Sequence, residues 1–517
     1  MNIVLISDHP MTLGIQFLMT HIKEQRDLRA SFRVTGILSS ASDSARIECP
    51  FTASEREVLL RYIADTKPAV IGLSTIERTR NRFLQLLPLL HKIVPGAFFV
   101  AGGIDAISDP HFYLMRGIDG VARGDGEIVL EAILRGIVAN DAVAIAALGI
   151  PGLVTSLNPD AVPARSPEIT PMPYYGEDLM CLTPFGLREF GNEREGDDHV
   201  QFVNRRQAID MYTQRGCTHK CSFCAQDLLP VYRNDSLRNS RRRGLADIVE
   251  SIASVKERYP RKDFVYFWDL DFLRRPKMDL MDFAAIYRER VGLPFFIFVT
   301  EKSVNSAGVE VIRALVEAGL RTINLGIQSG NTRILNVVYQ RLNTPEECEN
   351  AIRLIHEATE SNEIEILYDV ITYNPEETPE EICDTIRLIM RIPVGGRQTI
   401  RLSTHKLSFN TGQSHSHSVR DHTYKDYQDF TDSTTTDCST QSPYLSWLLG
   451  QMMRGTVTLS SVGSLRRDLI DRLLDENFVA AMDKNGKLNQ LLYAAFIPRD
   501  NEAFVARTIS PREERSG

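Results

Sequence analysis

Short apolar runs alternate with longer amphipathic stretches through most of this 517-residue chain. The first run, Ile3-Val-Leu-Ile6, reads as a buried strand, and Thr12–Gln25 carries its apolar residues at helical spacing. The same alternation predicts strands at Arg33–Leu38, Ala69–Leu73, Ala97–Ala101 and Asp119–Ala122. Helices are expected at Ala53–Ala64, Thr79–His91, near His111 and at Glu127–Val138. Strands separated by helices pair through crossovers and become parallel, and the helices cover both faces. The expected fold class is therefore α/β, with residues 1–140 forming a doubly wound, Rossmann-like parallel sheet.

A second series of strand–helix units occupies residues 206–415. Its strands are expected at Ile209–Gln214, Phe264–Trp268, Pro294–Val299, Arg321–Leu325, Ile364–Thr372 and Thr399–Ser403, and six such units suit a partial (β/α)6 barrel. Between the two series, residues 141–205 are broken by Ile150-Pro-Gly, Asn158-Pro-Asp, Ser166-Pro and Thr170-Pro-Met-Pro173 and read as a linker. Cys181 there reads as structural, and Arg188–His199 as a solvated loop. Residues 416–517 form a smaller, mostly helical domain, with a polar loop at Thr431–Ser442 and helices near Tyr444–Arg454 and Ser464–Leu474.

Three of the eight cysteines fall within eight residues, Cys217-Thr-His-Lys-Cys221-Ser-Phe-Cys224. Thiolates at that spacing on one tight loop can hold three corners of an iron–sulfur cube, which normally takes four Cys ligands. The next cysteine is Cys348, so the fourth iron is left for a ligand that is not protein. Zinc is the competing reading, with His219 as fourth ligand, although structural zinc sites usually come as two separated pairs.

Cys217-x3-Cys221-x2-Cys224, with Phe223 before the last cysteine, resembles the signature of the radical S-adenosylmethionine (radical SAM) enzymes. That resemblance implies a 4Fe–4S cluster on Cys217, Cys221 and Cys224, with SAM chelated at the open iron and cleaved to a 5′-deoxyadenosyl radical. Downstream stretches agree. Phe267-Trp-Asp269-Leu-Asp271-Phe272 resembles the Phe-x-Asp-Asp-x-Phe turn of the cobalamin-linked subgroup; Asp269 would meet an amine of SAM, order the substrate, or simply cap a helix. Leu325-Gly-Ile-Gln328-Ser329-Gly330 resembles the Gly-Ile-Glu-Ser-Gly stretch that lines the SAM pocket. Tyr368-Asp369-Val-Ile-Thr-Tyr-Asn374-Pro-Glu376 is similar to the strand and turn that pack on the adenine, with Asn374 and Glu376 in place of glycines. Leu407–Gly412 weakly resembles the turn that closes this core.

The first sheet has its own pattern. Ser74-Thr75, Gly102-Gly103 and Gly124-Asp-Gly126-Glu127 fall where strands end, which is where such sheets bind ligands. Taken singly, each is as readily a tight turn. Together they resemble the cobalamin-binding domain fused upstream of many radical SAM enzymes. The first loop, Asp8-His9-Pro-Met-Thr-Leu-Gly14, lacks the Asp-x-His-x-x-Gly pattern, so the resemblance implies cobalamin without a protein His as lower ligand, or else a degenerate domain.

The basic patch Arg238 and Arg241-Arg-Arg243 either orients an anionic substrate or lies on a wet surface, and Ser414-His-Ser-His417 reads as polar loop. A net charge of −8 argues against nucleic acid held by bulk charge. No apolar run of membrane-spanning length occurs, and the start lacks the basic segment of a signal peptide. Clustered thiolates suit a reducing, cytoplasmic setting. The resemblance implies a methyltransferase acting on an unactivated carbon through methylcobalamin, with a small-molecule or peptide substrate and a flavodoxin- or ferredoxin-type reductant. The alternatives are a cobalamin-linked radical cyclase or rearrangement enzyme, a radical SAM enzyme with a degenerate cobalamin domain, a tRNA methylthiotransferase and a non-catalytic iron–sulfur sensor.

Overall fold

A computed structural model describes residues 1–7, 13–39, 51–75, 80–139, 149–165, 172–190, 208–217, 219, 221–224, 241–372, 374–393, 397–406, 441–442, 444–446, 448–449 and 471–484. The expectations for residues 8–12, Arg238, Leu407–Gly412, Ser414–His417, 431–440 and 451–470 lie outside these residues. The chain divides into two compact units, the first built chiefly from Met1–Val299 and the second chiefly from Thr322–Leu407.

The first unit opens with an eight-stranded sheet. Its strands are β1 (Asn2–Ser7), β2 (Arg33–Ser39), β3 (Val70–Ser74), β4 (Phe98–Gly102), β5 (Gly120–Ala122), β6 (Leu153–Val154), β7 (Leu179–Thr183) and β8 (Gly186–Glu189). The order is β6-β5-β4-β3-β1-β2-β7-β8. β1 pairs in parallel with β2 and β3, with Ile3 opposite Val34 on one side and Val70 on the other. The first five strands and their helices lie within two residues of their expected limits.

Alternation along β1 explains how the sheet is covered. Val4 and Ile6 pack with Leu59, Ile63, Phe83 and Leu90 from helices Ala53–Thr66 and Arg80–Ile93. Ile3 and Leu5 point the other way, toward Ile15, Met19, Val129 and Ile133 from helices Leu13–Glu24 and Gly126–Val138. Each such side chain, fully buried, contributes roughly 1.5–3 kcal/mol. A strand apolar on both faces belongs in the middle of a sheet, and β1 lies there.

The stretch 141–205, expected to be a linker, supplies three further strands. β6 runs antiparallel to β5, β7 parallel to β2, and β8 antiparallel to β7. These strands are 2 to 5 residues long, too short for periodicity to announce, and tertiary pairing forms them. Cys181 lies buried within β7, as a structural residue would.

The first unit continues with β9 (Ala208–Met211), β10 (Phe264–Phe267) and β11 (Phe295–Val299), all parallel and neighbours in chain order. Helices Leu245–Arg258 and Lys277–Arg290 separate them. Phe267, Phe272, Phe283, Tyr287 and Phe295 form an aromatic core on one side, with ring centroids 4.9–6.5 Å apart. Tyr266 stacks on Phe296 at 4.2 Å on the other.

In the second unit β12 (Leu320–Gln328), β13 (Glu365–Thr372) and β14 (Thr399–Lys406) again pair in parallel and in chain order. Helices Pro345–Thr359 and Pro379–Met390 begin alike. Thr344 and Thr378 cap them, Pro follows at the first helical position, and Glu347 and Glu381 complete capping boxes. The chain thus alternates six parallel strands with helices over the span expected for a partial barrel. No helix among the described residues is long and apolar enough to cross a membrane.

Candidate active site

The crevice at the carboxyl ends of β1, β3 and β4 lies where the strand order of the first sheet reverses, the position at which open α/β sheets bind ligands. A cavity of about 240 Å³ opens there, lined by Ser74, Gly102, Gly103, Gly124 and Gly126 together with apolar side chains such as Leu5 and Leu18. Five residues expected to border a cofactor are thereby gathered at one site.

The glycines have different jobs. At Gly103, φ is +91° and a Cβ would sit 2.3 Å from the Thr75 carbonyl oxygen. At Gly124, φ is +96° and a Cβ would lie 2.1 Å from the Ala164 carbonyl oxygen. Both are imposed by the backbone. Gly102 is not: its Cβ would meet nothing nearer than Ala122 at 3.8 Å, so the absent side chain leaves open space. Thr75, expected to border the ligand, is instead fully buried, its hydroxyl donating to the Gly102 carbonyl (3.1 Å) and accepting from Ala106 N–H (3.2 Å). It ties two strand ends together.

β9 delivers the cysteine loop, and buried polar groups hold its base. Asp269, fully buried after β10, accepts from Thr213 N–H (3.0 Å), the Thr213 hydroxyl (2.9 Å) and Gln214 N–H (2.7 Å). Burial pushes its carboxyl up to about 6, against the pull of Arg275 and of the Thr213 and Gln214 donors. The expectation that Asp269 meets a SAM amine, orders substrate or caps a helix is corrected: its oxygens are engaged by the loop. Arg275 donates to the Thr213 carbonyl and hydroxyl (both 2.9 Å), and its own pKa is lowered to about 10 by burial. Gly216 then turns with φ +87°, and Arg274 donates to its carbonyl at 3.1 Å.

Cys217, Cys221 and Cys224 follow. Cys221 is buried, the other two half-buried, and Cys224 N–H donates to the Cys221 carbonyl (3.1 Å) across a turn that carries Phe223. Burial pushes the Cys217 thiol up to about 11, with Cys221 among its electrostatic neighbours; Cys217 and Cys224 both act on the Tyr212 hydroxyl. Three thiolate donors on one loop fit an iron–sulfur cluster, and ligation there must release protons. Among the described residues, no three His, Cys, Asp or Glu side chains converge as they would around a single metal ion.

Two arginines join this loop to the first sheet. Arg215 Nη1 donates to Asp125 Oδ1 at 2.6 Å, and its Nη2 pairs with Glu127 Oε1. Arg241 Nη1 holds the other Asp125 oxygen. The patch Arg241–Arg243 was expected to meet an anionic substrate or lie on a wet surface, and for Arg241 both are corrected: it is 8% exposed and paired with Asp125. The sequence marks Asp125 and Glu127 only as part of the glycine turn and does not single out Arg215; charged residues flanking a glycine turn and a cysteine loop were the available signal.

In the second unit Gln328 ends β12 with φ +68°, next to a register shift between Gly326 and Gln328. Its Nε2 would lie 2.4 Å from a Cβ at position 326, so Gly326 makes room for it. Ser329, expected to hold SAM, is fully buried; its hydroxyl lies 3.1 Å from the Thr385 hydroxyl and donates weakly to Glu377 at 3.4 Å. It fastens the turn to helix Pro379–Met390. Burial pushes the Glu377 carboxyl up to about 8, with the Glu381 charge adding to it. Asp369 is half-buried on β13, opposite Gly326 on β12. Asn374 replaces a glycine by an Asx turn, its Oδ1 accepting from Glu376 N–H at 3.0 Å.

The family model of the radical SAM superfamily matches residues 211–389, and that of the B12-binding domain matches residues 29–134. The chain is a radical SAM enzyme that carries a B12-binding domain. The cofactors of those two domains are a 4Fe–4S cluster with SAM, and cobalamin. An uncharacterized methyltransferase, PH0819 of Pyrococcus horikoshii, is 21% identical over 396 residues, covering 74% of this chain and 73% of that protein. The fold is similar to that of the radical SAM methyltransferase TsrM of Kitasatospora setae, solved with cobalamin and a 4Fe–4S cluster: TM-score 0.59, 17% identity, 81% of this chain and 78% of that one. It is also similar to the cobalamin-dependent radical SAM enzyme OxsB with aqua-cobalamin bound: TM-score 0.57, 15% identity, 75% of this chain and 52% of that one.

Proposed function

We propose that this enzyme methylates an unactivated carbon, using cobalamin as methyl carrier. The observation that carries the reading is Arg215, which lines the cavity of the first sheet and stands two residues before Cys217. One compact unit thus offers both sites. Bound there, the cluster with SAM supplies hydrogen-atom abstraction and cobalamin supplies methyl transfer. Cys217, Cys221 and Cys224 hold three irons, and Asp269, Arg274 and Arg275 fix the loop that bears them. Ser74, Gly102 and Gly126 border the flat or extended part of cobalamin, where a Cβ on Gly102 has room and a ligand would take it. The relatives named as methyltransferases support this reading; in TsrM the substrate is tryptophan.

The substrate here is a small molecule or a peptide. A flavodoxin- or ferredoxin-type protein supplies the electron, and the enzyme works in the cytoplasm. The test is anaerobic purification with hydroxocobalamin supplied, counts of iron, sulfide and cobalt, and turnover with methyl-labelled SAM. Label in the product supports methylation. 5′-Deoxyadenosine without transferred label would replace it by cyclisation or rearrangement, and absence of both would end the radical reading.

A further inference from the structure

The four charged residues between cavity and cysteine loop form a closed network. Arg215 forks onto Asp125 and Glu127, Arg241 takes the second oxygen of Asp125, and Arg215 N–H donates to the Arg241 carbonyl at 3.1 Å. The side chains of Arg215, Arg241, Asp125 and Glu127 are only 15%, 6%, 0% and 5% exposed. The Phe17 ring, from the helix beside the cavity, lies 5.3 Å from the Arg215 guanidinium and 6.3 Å from Tyr212, edge to face. Gly124, Asp125, Gly126, Glu127 and Arg215 all line the cavity.

Buried charges tolerate separation poorly, because each would be stranded without its partner. The Gly124–Glu127 turn and the base of the cysteine loop are therefore held as one piece. A ligand that orders the turn orders the loop, and a cluster that orders the loop orders the turn.

We propose that Arg215 is a positioning residue that couples the two cofactor sites, so that each cofactor binds more tightly when the other is present. The inference rests on the cobalamin part of the function above and not on methylation. Linkage requires reciprocity: the factor by which the cluster raises cobalamin affinity equals the factor by which cobalamin raises cluster retention. Typical couplings of this kind begin at about fivefold.

The experiment titrates hydroxocobalamin, followed by its visible spectrum, into full-length protein without oxygen, both cluster-free and cluster-reconstituted. Wild type is expected to bind about fivefold more tightly or better with the cluster in place. Arg215→Met and, separately, the isosteric Glu127→Gln should bring the ratio close to one, and Arg215→Lys should restore part of it. A purely structural role would weaken both affinities and leave their ratio alone. Equal affinities in wild type, or a ratio unchanged in both variants with native circular dichroism, would overturn the proposal. No binding of cobalamin to either form would overturn it together with the cobalamin reading. Coupling without label transfer in turnover would leave it standing and remove methylation alone.

Discussion

Asp269 accepts a 2.7 Å hydrogen bond from the backbone N–H of Gln214, three residues before Cys217. The acceptor follows β10 and the donor follows β9, two strands paired from Ala208 opposite Phe264 to Met211 opposite Phe267. A single carboxylate thereby replaces the ladder at the point where the chain leaves the sheet for the cysteine loop.

Removing that carboxylate leaves two buried N–H groups and the Thr213 hydroxyl without their acceptor, and Arg275 without the nearby negative charge. Asp269→Ala should cost about 3–5 kcal/mol, as for other broken buried pairs. In denaturant titration of the apoprotein, a loss below about 1 kcal/mol would contradict this assignment.

Arg274 is buried beside Cys217 and acts on its charge. Reduction adds a negative charge to the cluster, and a nearby buried cation favours that state. Arg274→Met should therefore lower the midpoint potential. An EPR-monitored redox titration with the same potential in both proteins would discard the idea.

The neighbouring glycines 102 and 103 should separate ligand binding from folding. Gly103→Ala places a Cβ 2.3 Å from the Thr75 carbonyl oxygen at φ +91° and should destabilise the apoprotein by about 1–3 kcal/mol. Gly102→Ala meets only Ala122 at 3.8 Å, so it should melt like wild type and lose cobalamin affinity. Thermal melts and cobalamin titrations of both variants decide.

Glu377 makes stability depend on pH. Its carboxyl is about 8 in the fold against 4.5 in the unfolded chain, so between those values the native state keeps a proton that the unfolded state has released. Its contribution is favourable below 4.5, falls as pH rises, and is gone above about 8. The slope is about −1.4 kcal/mol per pH unit. Glu377→Gln should flatten the profile between pH 5 and 8 in urea titrations, taken as the difference from wild type; parallel profiles would exclude it.

The features readable in the sequence were local ones. β1 announces itself because a central parallel strand is apolar on both faces, and the cysteine loop because its three cysteines lie within eight residues. The pairing of Asp125 with Arg241 spans 116 positions, and no local pattern encodes such a distance. Ser329 and Thr75 look like ligand contacts in a motif, yet burial turns both into ties between backbone segments. Thr344-Pro-Glu-Glu347 and Thr378-Pro-Glu-Glu381 open helices that the sequence expectations did not include, although each spells cap, first-turn proline and capping glutamate in four consecutive residues.

The outermost strands of the eight-stranded sheet, β6 and β8, are 2 and 4 residues long and run against their neighbours. A margin that short exposes few unpaired amides, so another polypeptide finds little to zip onto. The interior strands can then be apolar on both faces, as β1 is, without inviting polymerisation as the chain emerges and folds.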